Sequence, residues 1–215
     1  MPEIVKYLSI GIAIALVIYS IILHEIAHGY VAFLLGDPTA AMQGRLTLNP
    51  IKHVDPFHTI LMPLMTYFFA GFIFGGAKPV PINPYKFRNM RKAMLLTGLA
   101  GPAVNLVLLL AFAGLHRLMG LIPGISPYLR DIAFMAGLWN MILMAFNLIP
   151  VPPLDGSHVV SYFLWRRMRA VYSDFGRYGM LVILLLIATG VTGFILTKAI
   201  IAYVYLAGYP ARALF

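Results

Sequence analysis

Residues 4–28 read IVKYLSIGIAIALVIYSIILHEIAH. From Ile4 to Leu23 the run is apolar apart from Lys6, Tyr7, Ser9 and a few other small or polar positions. That is about the 20 residues one helix needs to cross a hydrocarbon core. The run ends in two histidines and a glutamate. Side chains four apart share a helix face, so His24 and His28 can turn ring nitrogens towards a single cation, and Glu25 can reach a water at that cation. Zinc held in this way activates water near neutral pH, and a carboxylate can take the proton as a carbonyl is attacked. In a soluble helix the same five residues recur by chance. Next to a run long enough to sit in lipid, three ionisable groups need a partner or a task.

Composition sets the surroundings. The chain has 215 residues, 61% hydrophobic and 11% charged, with a mean hydropathy of +0.87. This is the profile of a polytopic membrane protein. The formal charge of +9 sits mostly between apolar runs, where it reads as topology signal and headgroup contact, and we expect no nucleic-acid partner. There is no cysteine, so disulfides and thiolate metal sites are excluded and zinc ligands must be His, Asp or Glu.

The first run continues into HEIAH with no A-x-A-like cleavage site, so it is expected to stay as a membrane helix. Further apolar runs cover Phe57 to Gly76, Ala93 to Leu115, Ile132 to Ile149 and Tyr178 to Leu206. The Phe57 to Gly76 run holds His58 and Pro63 and ends in Gly75-Gly76, which makes it a poor straight span. Gly44 to Pro50, GRLTLNP, alternates Leu46 and Leu48 before an Asn-Pro turn, the pattern of a short strand. Residues 77–92 carry Pro79, Pro81 and Pro84 among five basic residues and cannot be a regular helix throughout. The expected fold is an all-α polytopic membrane protein with about four full transmembrane helices, one re-entrant or partial segment, and a short strand-like element after the first helix. It forms one domain over residues 1–215, with a core of about 4–165 and a further C-terminal helix of about 176–206.

A second motif, Phe146 to Gly156, reads FNLIPVPPLDG. Its three prolines end a helix and Gly156 permits a tight turn, so Asp155 can bring a carboxylate back to the bundle as a third ligand. Two histidines and one carboxylate leave a fourth tetrahedral position for water, the open arrangement of a catalytic zinc site.

HEIAH, NLIPVPPLDG and the intervening Gly101-Pro102-Ala103-Val104-Asn105 together resemble the site-2 protease family of intramembrane zinc metalloproteases. The similarity spans about residues 20–160 and is closest to compact members lacking a PDZ-like or nucleotide-sensing domain. It implies one Zn2+ per chain held by His24, His28 and Asp155, with Glu25 as general base and Asn147 and Asn105 as polar residues near the site. Read from their own chemistry, both asparagines are amides in apolar helices that need partners. Asn105 suits interhelical hydrogen bonding. Asn147, eight residues before Asp155, could donate to a developing oxyanion. His53, His58, His116 and His158 read as interfacial or loop residues, with His58 and His158 the two that could come near the metal.

Topology constrains the chemistry. HEIAH and Asp155 both lie at C-terminal helix ends, so their helices must run in the same direction, and one intervening run must not cross. Phe57 to Gly76 is the candidate. Loops after residues 36, 76 and 156 collect most of the lysines and arginines, while Lys6, Arg117, Arg130, Lys198 and Arg212 fall opposite or nearby. This places the N-terminus outside and the site nearer the cytoplasm, with the plasma membrane of a prokaryote as the expected location. The expected partners are the lipid bilayer and membrane-spanning protein or peptide substrates, whose helix must unwind before its backbone can be cut. Arg45 to Leu48, with Thr47 at its centre, would receive the unwound segment by strand addition. Two other classes remain open: a catalytically silent membrane protein of the same fold that retains partners, and a metal transporter.

Overall fold

The computed structural model describes residues 2–70 and 75–209, and among them it is helical with no strand. Among the described residues, four stretches are long and apolar enough to cross a membrane: Ile4–Leu34, Met90–Leu121, Pro127–Asn147 and Arg166–Ala188. The chain is an integral membrane protein.

The first helix, α1 (Pro2–Leu34), runs unbroken for 33 residues, about 50 Å at 1.5 Å per residue. A short α2 (Thr39–Met42) and α3 (Met62–Ala70) precede the helix that organises the bundle, α4 (Met90–Leu121). Asn89 caps α4, its side chain accepting the Lys92 N–H at 3.1 Å and satisfying one of the donors a helix start leaves free. Ala93, Thr97, Gly101, Asn105, Leu109 and Ala113 recur every fourth residue and are all buried. These mostly small side chains let other helices approach closely, and α4 packs against α1, α5 (Pro127–Asn147) and α6 (Gly156–Phe163).

Beyond α6, α7 (Arg166–Phe175) leads through a 3-10 turn into α8 (Gly179–Ala188), and α9 (Val191–Leu206) returns to α5. Tyr203 of α9 is fully buried. Its hydroxyl donates to the Phe134 carbonyl at 3.0 Å, and its ring occupies the space a side chain on Gly137 would fill.

The loops after α1 and before α4 are sewn into one cap. Asp37 is fully buried and accepts the Thr39 N–H at 3.0 Å and the Asn83 N–H at 2.6 Å. Burial would raise its carboxyl pKa, but hydrogen bonds from Thr39 and Asn83, helped by Lys86, outweigh burial and hold it below the ordinary range. Arg45 Nη2 donates to the Lys78 carbonyl at 2.7 Å, and the Lys78 N–H donates to the His53 carbonyl at 2.8 Å.

Two sequence expectations need correction. Arg45 to Leu48 is not a strand: the Arg45 N–H donates to the Ala40 carbonyl at 2.9 Å, the Thr47 carbonyl accepts from His53 Nε2 at 2.8 Å, and Gly44 turns the chain at φ 62°. Among the described residues no strand lies beside it to pair with. The Leu46/Leu48 alternation has another cause, since Leu46 lies against Gly29 of α1 while Leu48 is exposed. The expected helix over 176–206 is also broken. Gly190 adopts φ 78°, a left-handed conformation that glycine takes without a Cβ penalty, and it separates α8 from α9. In its place, the basic segment from Arg166 is helical and continuous with α8.

The Phe57 to Gly76 run is not among the four spans. Its described part is a wide turn of helix at Pro56–Leu61 followed by the nine residues of α3. Residues 71–74 and the His58 side chain lie outside the described residues.

Candidate metal centre

One helix and one turn bring three ligands together. His24 and His28 stand one helical turn apart on α1 and are buried, with their Nε2 atoms 3.0 Å apart. Asp155 Oδ2 lies 3.2 Å from His24 Nε2, and Asp155 Oδ1 lies 3.3 Å from His28 Nε2. Among the described residues these three form the one group of His, Asp or Glu side chains placed to hold a metal ion.

Asp155 is delivered by a turn that the sequence builds tightly. After α5 the chain folds through Pro150, Pro152 and Pro153, with the Leu154 N–H donating to the Val151 carbonyl at 2.9 Å. Gly156 sits so close to the Leu148 carbonyl that a Cβ would overlap it. Ile149 and Leu154 anchor the turn in a buried cluster with Ile183 of α8.

The hydrogen bonds behind the imidazoles fix their tautomers. His28 Nδ1 lies 2.6 Å from the Thr97 carbonyl, which can only accept, so Nδ1 carries the proton and Nε2 a lone pair. For His24 the assignment runs through α5. The Ala136 carbonyl accepts from Asn140 Nδ2 at 2.8 Å, which orients that amide, and Nδ2 also donates to Ser20 Oγ at 2.9 Å. Asn140 Oδ1 then accepts from Asn105 Nδ2 at 3.2 Å. Asn105 therefore turns its Oδ1 to His24 Nδ1 at 2.7 Å, and that nitrogen too must be protonated. Both Nε2 atoms thus face each other and a carboxylate with lone pairs only. This explains why Asp155 Oδ2, within ion-pair distance of His24, has no hydrogen-bond partner although it is buried.

That arrangement repels itself unless a cation joins it. The spacing suits zinc, since two bonds of about 2.0–2.1 Å at a tetrahedral angle hold ligand atoms about 3.3 Å apart. Gly101 of α4 leaves the room: a Cβ there would lie 2.5 Å from His24 Cε1, 2.6 Å from His24 Nε2 and closer still to His28 Nε2. The residues present fit a zinc ion with an open ligand position.

The remaining expected residues divide. Glu25 lines the same cavity, of about 220 Å³, and its Oε2 accepts the Val80 N–H at 3.0 Å. Asn147 also lines it and uses Nδ2 to donate to the Leu143 carbonyl at 2.9 Å. Asn105 stands behind His24, joining helices and orienting a ligand at once. Thr47 is not in this cavity. His158 does line it, and burial, its largest influence, lowers its pKa, leaving it neutral at pH 7. His116 is buried in α4 against the Arg130 carbonyl, and His53 is buried within the loop cap.

Comparison with known proteins agrees with the geometry. The family model of peptidase family M50 matches residues 124–190, which include Asn147 and Asp155. YwhC of Bacillus subtilis, provisionally named a zinc metalloprotease, is 39% identical over 186 residues, covering 83% of this chain and 81% of YwhC. The chain belongs to peptidase family M50. Rip2 of Mycolicibacterium smegmatis, named in the same way, is 30% identical over 170 residues, 79% of this chain and 64% of Rip2. No solved structure matches the chain. For an M50 peptidase the donor set therefore has the expected chemistry, and the site-2 protease resemblance read from the motifs holds.

Sequence reasoning missed Ser20, Thr97, Gly101 and Asn140 as supports of this M50 centre. Asn140 carried a signal, being an amide seven residues before Asn147 in an apolar helix, and Ser20 lies one turn before His24. Replacing Asn140 with Leu is expected to free the Asn105 amide to flip and weaken zinc binding by about 10–100-fold, the usual cost of losing an outer-shell partner. Competition against a chelator measures this, and unchanged affinity would remove Asn140 from the tautomer chain.

Proposed function

We propose that this M50 peptidase is an intramembrane zinc metalloendopeptidase in which His24, His28 and Asp155 hold one zinc ion and Glu25 is the general base. The observation that carries the reading is the convergence of two lone-pair-bearing Nε2 atoms and a carboxylate in a cavity that also admits a second carboxylate.

Bound zinc supplies Lewis-acid activation of a water and of the scissile carbonyl. Glu25 moves the proton. The Val80 N–H holds Oε2, leaving Oε1 to take a proton from the attacking water and pass it to the leaving amine. Asn147 keeps a second amide hydrogen to offer the developing oxyanion. Thr97 and Asn105 hold the imidazoles in the ligating tautomer.

The substrate is a membrane-spanning segment, because the ligands sit on a helix whose preceding 20 residues are lipid-length and apolar. Its backbone must unwind to expose a carbonyl. The Phe57 to Gly76 run stops short of crossing. Support comes from its tied ends, where the Thr59 hydroxyl donates to the Gly76 carbonyl at 2.9 Å and Lys78 bonds to His53. The C-terminal ends of α1 and α5 then meet the N-terminal half of α4 on one face. That face carries most of the basic loops, which favours the cytoplasmic side of a prokaryotic plasma membrane.

Chelation tests the metal requirement. A single-span substrate co-reconstituted in liposomes should be cut by the wild-type chain, spared after zinc is stripped, and cut again when zinc is restored. Cleavage that persists in metal-free protein would refute the proposal.

A further inference from the structure

A second cavity, about 480 Å³, opens beside the metal centre between the start of α4, α6 and α7. The two cavities share walls, since Met94 and His158 line both. Its size falls in the range of peptide and small-molecule sites.

Its electrostatics point one way. Arg91, Arg166 and Arg169 line it and no carboxylate does. Arg169 is fixed by bonds to the Ser161 and Leu164 carbonyls, 3.1 and 2.9 Å long. Arg91 donates to the Tyr162 carbonyl and stacks on the Tyr162 ring 5.0 Å from its centroid. Both guanidinium groups keep full positive charge while their positions are set by the end of α6. Arg166 is exposed, and no acidic side chain pairs with it among the described residues. Tyr162, Tyr172, Ser161 and Ser173 add hydroxyls to the walls. Such a surface attracts an anion that also brings apolar bulk.

We propose that this cavity is a substrate subsite that takes an acidic residue, Asp or Glu, lying within a few residues of the scissile bond. The proposal rests on the peptidase reading. The shared walls favour peptide over lipid, because an occupant continuous with the cleaved chain enters both cavities as one extended strand. An anionic lipid headgroup offers the same charge but has no reason to adjoin the metal centre.

The test uses the full chain carrying Glu25→Gln in nanodiscs. The probes are two fluorescent single-span peptides that differ only in bearing Glu or Gln residues beside the same apolar span. The Glu peptide is expected to bind about tenfold more tightly, a difference Arg166→Gln reduces and Arg166→Glu reverses, with zinc content reporting that the variants are folded. Discrimination unchanged in both Arg166 variants would overturn the proposal. So would an Arg166 effect seen equally with both peptides and only in anionic nanodiscs, which would assign the cavity to lipid. Charge-selective binding without cleavage by the wild-type chain would sink the peptidase reading and spare the subsite. Cleavage with no charge preference would do the reverse.

Discussion

Gly101→Ala is expected to empty the metal centre. Alanine is the better helix former by about 1 kcal/mol, so propensity alone predicts a more stable α4. The geometry predicts the opposite outcome for function. The added methyl would lie 2.5 Å from His24 Cε1 and 2.6 Å from His24 Nε2, with His28 Nε2 nearer still, and real Cβ contacts do not occur at such distances. The neighbours are rings locked by hydrogen bonds at Nδ1 to Asn105 and Thr97, so they cannot swing aside without breaking the tautomer supports. Either α1 and α4 separate or the imidazoles leave the ligating geometry. Gly114→Ala is the control on the same helix, because a Cβ there meets nothing within 4 Å. We expect zinc content to collapse in the first variant and stay at the wild-type level in the second. Full zinc content in Gly101→Ala would mean the ligand triangle is not where the structure puts it.

Glu25→Gln is expected to separate binding from chemistry. Glutamine keeps the shape, and its carbonyl oxygen can still accept the Val80 N–H that now meets Oε2, so the loop cap stays in place. The lost property is the ability to take a proton. Positioned acid–base groups contribute about 10²–10⁴-fold, and cleavage should fall by at least that much. Zinc content should not change, since neither the imidazoles nor Asp155 depends on Glu25 for a hydrogen bond.

How far the sequence reveals this site depends on how local each feature is. The His24/Glu25/His28 pattern is legible because helical geometry alone sets residues four apart on one face. Asp155 is legible because prolines and Gly156 mark where the α5 helix must stop and turn. Asn105 can be seen as a polar residue in an apolar helix, but not as the tautomer lock of His24. That role needs Ala136, Asn140 and Ser20 in register across α1, α4 and α5, which no single segment encodes. The strand reading of Arg45 to Leu48 fails for a related reason: alternation reports which side chains are covered, and here Leu46 is half-buried against a glycine on α1 rather than in a sheet. The helix break at Gly190 was a matter of backbone choice, since the same glycine would also have been tolerated inside a helix at modest cost.

The most direct measurement is single-turnover cleavage of a reconstituted single-span substrate by zinc-loaded wild type and zinc-loaded Glu25→Gln, side by side. The account predicts cleavage by the wild type and a loss of at least about 100-fold in the variant at equal zinc content. Equal rates would contradict it.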